Sequence, residues 1–203
     1  MRDSVPTGAV VSCHLEKPLD DAVWRRFDAS HGRFRVIALI RPPDPEYGED
    51  ETAWLERARA CAARAPLGLH THWTSPTHAR PTMVGGDPAA RVRREAAWMR
   101  EHGLEPRYFC GGGWYSDPEV AAAVQELGLV DCTPRDGLPR DGILPTTHSL
   151  GQLTRAVLSP GLPGYVHAYF HDHDLLDARR RRALGAALRV LRLRRPEYLD
   201  VGE

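Results

Sequence analysis

The side chains with the most chemistry in this 203-residue chain are its histidines, and seven of the ten fall in three short segments. Gly68-Leu69-His70-Thr71-His72-Trp73-Thr74-Ser75-Pro76-Thr77-His78 sets three imidazoles after a short apolar run and before a turn. Val10-Val11-Ser12-Cys13-His14-Leu15-Glu16 and Tyr165-Val166-His167-Ala168-Tyr169-Phe170-His171-Asp172-His173-Asp174 share that layout. Neutral imidazole and carboxylate are ligands of zinc and similar divalent metals, and a catalytic site needs about three of them plus a position open to water. Residues two apart on an extended strand point the same way, so His70 and His72 can face one ion, as can His14 and Glu16. His78, beyond Pro76, either returns to that site or stays on its rim. A single histidine at a strand end is commonly a hydrogen-bonded core or surface group. Repetition at three equivalent strand ends argues for a shared site.

A fourth segment, Tyr108-Phe109-Cys110-Gly111-Gly112-Gly113-Trp114-Tyr115, precedes a capped helix. Its glycines let backbone donors approach a ligand, and Trp114 offers a flat apolar face of the kind that stacks on sugar rings. A tight turn over a core tryptophan is the competing reading. No Gly-Lys-Ser/Thr follows, so the loop is not a phosphate cradle. Cys110 has no basic partner assignable from sequence, which speaks against a nucleophile.

The elements that must position these groups alternate short β-branched or apolar runs with longer stretches of helical periodicity, the pattern of a parallel sheet covered by helices. Strands are expected at Ala9 to His14, Arg33 to Ile40, Leu67 to His70, Arg107 to Cys110, Leu129 to Cys132, Gly142 to Pro145 and Tyr165 to Phe170. Helices are expected at Glu49 to Arg64, Pro88 to Gly103, Asp117 to Leu127, Ser149 to Leu158 and Leu175 to Leu193, with a shorter one at Asp20 to Phe27. Asp117 before Pro118 reads as an N-cap, and Gly103 and Gly128 read as left-handed C-caps. The proline-rich run Arg41 to Gly48 can continue neither strand nor helix. In such folds ligands bind at the carboxyl ends of the strands, where the histidines fall.

Length suits one domain over residues 1–203. The 27 basic and 27 acidic side chains cancel, so no global field selects nucleic acid or an anionic membrane, and a small-molecule or carbohydrate partner is expected. The arginines from Arg179 to Arg182, with Arg189, Arg192, Arg194 and Arg195, overlie a stripe of Leu184, Ala187, Leu188 and Leu191, which reads as a solvated face above a core-facing one. Cys13, Cys61, Cys110 and Cys132 form no C-x-x-C pair and are expected to be reduced and mostly buried. Met1 to Thr7 has no signal-like apolar stretch and no run approaches a membrane span, so a cytoplasmic protein is expected.

These segments, in this order, resemble the polysaccharide deacetylase family, the fourth carbohydrate esterase family with its nodulation-protein-B-type homology domain. The resemblance runs from about Val10 to Arg194. Gly68-Leu69-His70-Thr71-His72 resembles the second family motif, Phe109 to Trp114 the third, Leu129-Val130-Asp131-Cys132 the fourth, and Val166 to Asp172 the last. The first motif has Ser12-Cys13-His14-Leu15-Glu16 where relatives carry paired aspartates. Four residues after His70 stands Thr74, so His72 or His78 must supply the second histidine. The third motif lacks the family's arginine, Cys110 being nearest in place.

The resemblance implies an α/β fold, a distorted (β/α) barrel of about seven mainly parallel strands with outer helices, and metal-dependent removal of acyl groups from a sugar or small amide. It implies a divalent metal, zinc foremost, on His14, His70, His72 and His78. Glu16 would accept the proton of water, or His14 in its place, and His171 would protonate the leaving amine. Asp172 or Asp174 would orient His171, unless Asp174 caps the final helix. Trp73, Gly112, Gly113, Trp114 and Asp131 would contact substrate. Two other functions fit the same residues: a silent barrel that binds glycans through Trp114 and Trp73, and a structural domain whose histidines saturate the ion.

Overall fold

The computed structural model describes residues 8–31, 34–81, 86–135 and 139–194. The side-chain alternation of the first strand, β1 (Gly8–Leu15), sets the architecture, because every residue in it is buried. A strand hidden on both faces belongs in the middle of a parallel sheet. Its odd positions, Ala9, Val11, Cys13 and Leu15, enter the large outer core. On the even face Val10 packs with Ile37, Leu39, Tyr108, Cys110, Cys132 and Tyr165 in a smaller inner core.

The other strands are β2 (Ile37–Ile40), β3 (Leu67–Thr71), β4 (Tyr108–Gly111), β5 (Val130–Asp131), β6 (His148–Ser149) and β7 (Tyr165–His171). All pairings are parallel, in the order β5-β4-β3-β2-β1-β7-β6. The sheet curls into a half-barrel with six helices, a distorted (β/α) barrel as expected. The helices are α1 (Asp21–His31), α2 (Glu51–Ala62), α3 (Pro88–Glu101), α4 (Pro118–Glu126), α5 (Leu150–Leu158) and α6 (Ala178–Arg194). Their apolar faces meet the outer core through Phe27, Trp54, Met99, Val120, Leu153 and Leu188. The stripe Leu184, Ala187, Leu188 and Leu191 is buried under the arginines of α6; Arg195 lies outside the described residues. None of the described helices is long and apolar enough to cross a membrane.

Caps fall where side-chain chemistry puts them. Asp117 accepts from Val120 N at 2.7 Å ahead of Pro118, and Gly103 and Gly128 have φ of 74° and 68°. Helix α1 continues past the expected Phe27 to His31, whose ring stacks on Phe27 at 4.9 Å and bonds Val36 O at 3.0 Å. Strand β2 starts at Ile37, and Arg33 lies outside the described residues. The run Arg41 to Gly48 is a loop with one short 3-10 turn.

The strand expected at Gly142 to Pro145 is not formed. That segment makes a single parallel bridge, Asp131 to Ile143, and Pro145 has no N–H to extend the ladder. The strand forms instead at His148–Ser149, against β7. Between them the chain spans the open side of the barrel. Leu144 N and Thr146 N bond Asp131 O and Cys132 O, while Leu144 O and Pro145 O bond the His167 ring and the Tyr165 hydroxyl.

Candidate metal centre and active-site cleft

Register brings the histidines together. His14 of β1 is the direct neighbour of His171 on β7, and His70 of β3 stands beside Cys110 on β4. Between β1 and β3 lies β2, whose Leu39 pairs with both His14 and Gly68. Gly68 makes that crossing possible: a Cβ there would lie 2.5 Å from Leu39 Cδ2 and 2.8 Å from Tyr108 Cβ. His14 and His70 consequently approach to 4.4 Å between ring centroids, and His14 and His171 to 5.2 Å.

Glu16, just past β1, faces the cluster. Its Oε1 is 3.9 Å from His70 Nε2, 3.8 Å from His72 Nε2 and 3.6 Å from His171 Nε2, and its Oε2 is 3.6 Å from His173 Nδ1. Arg41 steadies this corner, donating Nε to Glu16 O at 3.1 Å while its guanidinium pairs with Glu49.

The imidazoles are held in the form that binds metal. His70 Nδ1 bonds Cys110 O at 2.9 Å and His72 Nδ1 bonds Pro76 O at 3.0 Å. A carbonyl only accepts, so each Nδ1 carries the hydrogen and each neutral Nε2 presents a lone pair towards Glu16. Burial, reinforced by His72, lowers His70 to about 3; burial and then Arg41 lower His72 to about 4. Burial and then His70 hold His14 well below the usual range. Among the buried nitrogens without a hydrogen-bond partner are His14 Nε2 and His72 Nε2. Buried polar groups are ordinarily satisfied, so neutral, orphaned, converging imidazoles fit a divalent cation. Two sets of donor atoms lie within 4.8 Å of one another: His14, His70 and Cys110, and Glu16, His70 and His72.

His171 is oriented from behind by Asp174, whose Oδ2 accepts from His171 N at 3.0 Å and lies 3.8 Å from Nδ1. Burial opposes its ionisation, but bonds from His171 and Arg180 hold that carboxyl well below the usual range. The expectation that Asp174 caps the final helix is corrected: Asp177 does so, accepting from Arg179 N and Arg180 N, because a short 3-10 turn, Asp172–Leu176, intervenes. Asp172, fully buried, accepts from Lys17 N and His173 N at 2.8 Å and ties the ends of β1 and β7 together.

A cleft of about 350 Å³ opens over these groups, lined by His14, Glu16, His70, His78, Gly113, Trp114, Tyr169 and His171 among others. The glycine turn builds one wall. A Cβ on Gly112 would lie 2.6 Å from Thr71 O, and both Gly113 and Trp114 are left-handed, with φ of 58° and 64°. A tryptophan in that region is strained, and such strain is retained where the surroundings impose it. Its ring lies 5.2 Å from His14 and 4.7 Å from Tyr169, and Tyr169 stacks on His14 at 5.4 Å.

The remaining expected residues stand apart from the donor sets. His78 is exposed on the rim, where its backbone closes a tight turn with Ser75, and it joins neither donor set. Trp73 and Gly112 do not line the cleft; Trp73 Nε1 donates to Gly112 O at 2.9 Å and braces the glycine turn from behind. Asp131 does not line it either, being buried against Thr133 N and Arg135. His167 is a core residue, bonded to Leu144 O and Ser12 Oγ at 2.9 Å. Sequence reasoning passed over Tyr169, although its place two residues before His171 on the same face was a usable signal. It passed over Arg41, whose long-range contacts leave no local mark.

No family model and no curated protein sequence matches the chain. Solved structures do. A family 4 carbohydrate esterase from Streptomyces lividans, in complex with acetate, superposes with a TM-score of 0.58 at 11% identity, over 94% of this chain and 91% of that one. The chitin deacetylase of the fungal pathogen Colletotrichum lindemuthianum gives 0.57 at 14% identity, over 93% and 84%. A CE4 family pseudoenzyme from Bacillus anthracis gives 0.58 at 11%, over 93% and 62%. The chain has a divergent polysaccharide deacetylase fold.

Proposed function

We propose that the cleft is a metal-dependent hydrolase site that removes an acyl group from the nitrogen of a sugar or another small amide, within a single deacetylase-type domain. One observation carries the reading: His70, His72 and His171 face Glu16 within 4 Å, His14 packs against His70 and His171, and His14 and His72 keep buried Nε2 atoms without a hydrogen-bond partner. His70, which belongs to both donor sets, would hold a divalent ion together with His14 of one set or His72 of the other, and zinc suits such donors. When bound, the ion supplies Lewis acidity at this position.

The chain's own residues do the rest. Glu16 is placed to take a proton from water, with its backbone held by Arg41. His171 Nε2 faces the cleft while Asp174 holds the other side of the residue, so His171 is placed to protonate the leaving amine. Trp114 and Tyr169 form an apolar wall suited to a sugar face and to excluding water. The likeness to a carbohydrate esterase and a chitin deacetylase supports an acylated sugar as the substrate class.

Metal analysis and turnover of acetylated amino sugars test the reading. Glu16→Gln is expected to keep the metal and lose activity by roughly 10²- to 10⁴-fold, the usual range for a general base. A purified chain with no stoichiometric metal, and turnover indifferent to His70→Ala and Glu16→Gln, would falsify it.

A silent glycan-binding barrel is the second reading, favoured by a specific feature. Glu16 belongs to the donor set with His70 and His72 and can itself be consumed as a ligand, leaving no base beside the ion. Glycan affinity that survives chelation, without turnover, would support that reading over the first.

A further inference from the structure

We propose that the thiolate of Cys110 is a ligand of the ion, with His14 and His70, and that Glu16 stays free beside it. This rests on the metal-hydrolase reading and names the ligand set of that site. A nitrogen of His14, one of His70 and Sγ of Cys110 lie within 4.8 Å of one another. Donors on one tetrahedral zinc, bonded at about 2.0 to 2.3 Å, stand roughly 3.3 to 3.8 Å apart, so the set closes by drawing in about 1 Å at its widest pair. All three side chains are buried, and His14 Nε2 is the unpartnered atom among them.

The sheet supplies the geometry. Parallel register places His70 and Cys110 side by side, their side chains on the same face. His70 Nδ1 also donates to Cys110 O, so the residue that offers the sulfur fixes the orientation of the neighbouring imidazole. Cys110 Sγ is held loosely, by a long 4.0 Å contact to Gly111 O and by the Thr133 side chain.

Depth favours this set over Glu16, His70 and His72, since each set holds one anionic donor. A buried dication on neutral imidazoles needs a negative ligand, and a soft thiolate beneath the cleft provides it. Glu16 is more exposed than either histidine, at 22% against 2% for His70 and 4% for His72, and it faces His171 as well. A carboxylate left there can work on substrate. On loading, the S–H bond breaks, its proton leaves to solvent, and the sulfur electron pair forms the metal bond.

Titrating the metal-free full-length chain with Co(II) tests the assignment. The expected result is a near-ultraviolet thiolate-to-cobalt band that saturates at one equivalent, disappears in Cys110→Ser and Cys110→Ala, and persists in Cys132→Ser. Circular dichroism checks that each variant is folded. Zinc affinity of Cys110→Ser should fall by more than the roughly 10- to 100-fold that a lost outer partner costs. A saturating visible cobalt spectrum with no sulfur band, or a band that survives in Cys110→Ser, overturns the Cys110 ligand and leaves the hydrolase reading standing. If cobalt at one equivalent leaves no spectrum at all, both fall together.

Discussion

Asp174 makes two contacts with one residue, accepting from His171 N at 3.0 Å and lying 3.8 Å from its Nδ1, and these decide which way that imidazole faces. An outer carboxylate on a working histidine fixes tautomer and ring angle without touching substrate, and its loss typically costs 10- to 100-fold. Asp174→Asn is therefore expected to lower kcat by about 10-fold while KM for an acetylated amino sugar stays unchanged. A change confined to KM, or an equal loss in melting temperature with kcat intact, would mean that Asp174 is only a structural partner of Arg180. His70 and His72 were legible as a pair from their spacing. The division of labour between Asp172 and Asp174 was not, because a one-residue turn of backbone separates a buried clamp from a group that orients the site.

At the level of the elements, the close passage of β2 between β1 and β3 depends on a missing side chain. Gly68→Ala would push a Cβ into Leu39 Cδ2, Tyr108 Cβ and Tyr108 O, at 2.5, 2.8 and 2.9 Å. Two of those atoms belong to the strand itself or its first side-chain carbon and cannot swing away, so overpacking of about 1–3 kcal/mol is expected. Thermal melts should register it as a loss of several degrees, at about 2–4 °C per kcal/mol for a chain of this size. Gly185→Ala, in the interior of α6 with nothing within 4 Å, should instead raise the melting temperature. Equal behaviour of the two variants would refute the packing argument. Strand and helix positions were readable because period-two and helical patterns are local. The misplaced strand at Gly142 to Pro145 and the extra turn of α1 were not, since one depends on which neighbour lacks a donor and the other on Val36 O meeting His31.

For the molecule as a whole, buried neutral histidines couple stability to acidity. Burial lowers His167 from 6.5 to about 4 and also lowers His31. A histidine whose folded value is depressed favours the unfolded chain once protons are available. Its contribution is complete above the unfolded value of 6.5 and is lost as the pH falls from there towards about 4. For His167 the shift corresponds to a loss on the order of 3 kcal/mol. The urea midpoint should thus drop between pH 7.5 and 4.5, and less steeply in His167→Gln. An unchanged slope in that variant would show that His167 does not carry the effect. The same residue bonds Leu144 O, so it also fastens the irregular segment that spans the barrel's open side.

The sequence by itself determined the alternating α/β order, the caps at Gly103, Asp117 and Gly128, the burial of the cysteines and the placing of histidines at strand ends, since each depends on residue type and short-range spacing. Only the tertiary structure decided which of those histidines meet. Register across β1, β2, β3 and β7 sets His70, His72 and His171 around Glu16 with His14 packed on His70 and His171, leaves His78 on the rim and sends His167 into the core. It also sets Cys110 beside His70, a pairing with no trace in spacing because 40 residues separate the two. The physical reason is the same in each case: a ligand set is defined by distances of a few ångströms between side chains, and only the lateral pairing of strands fixes those.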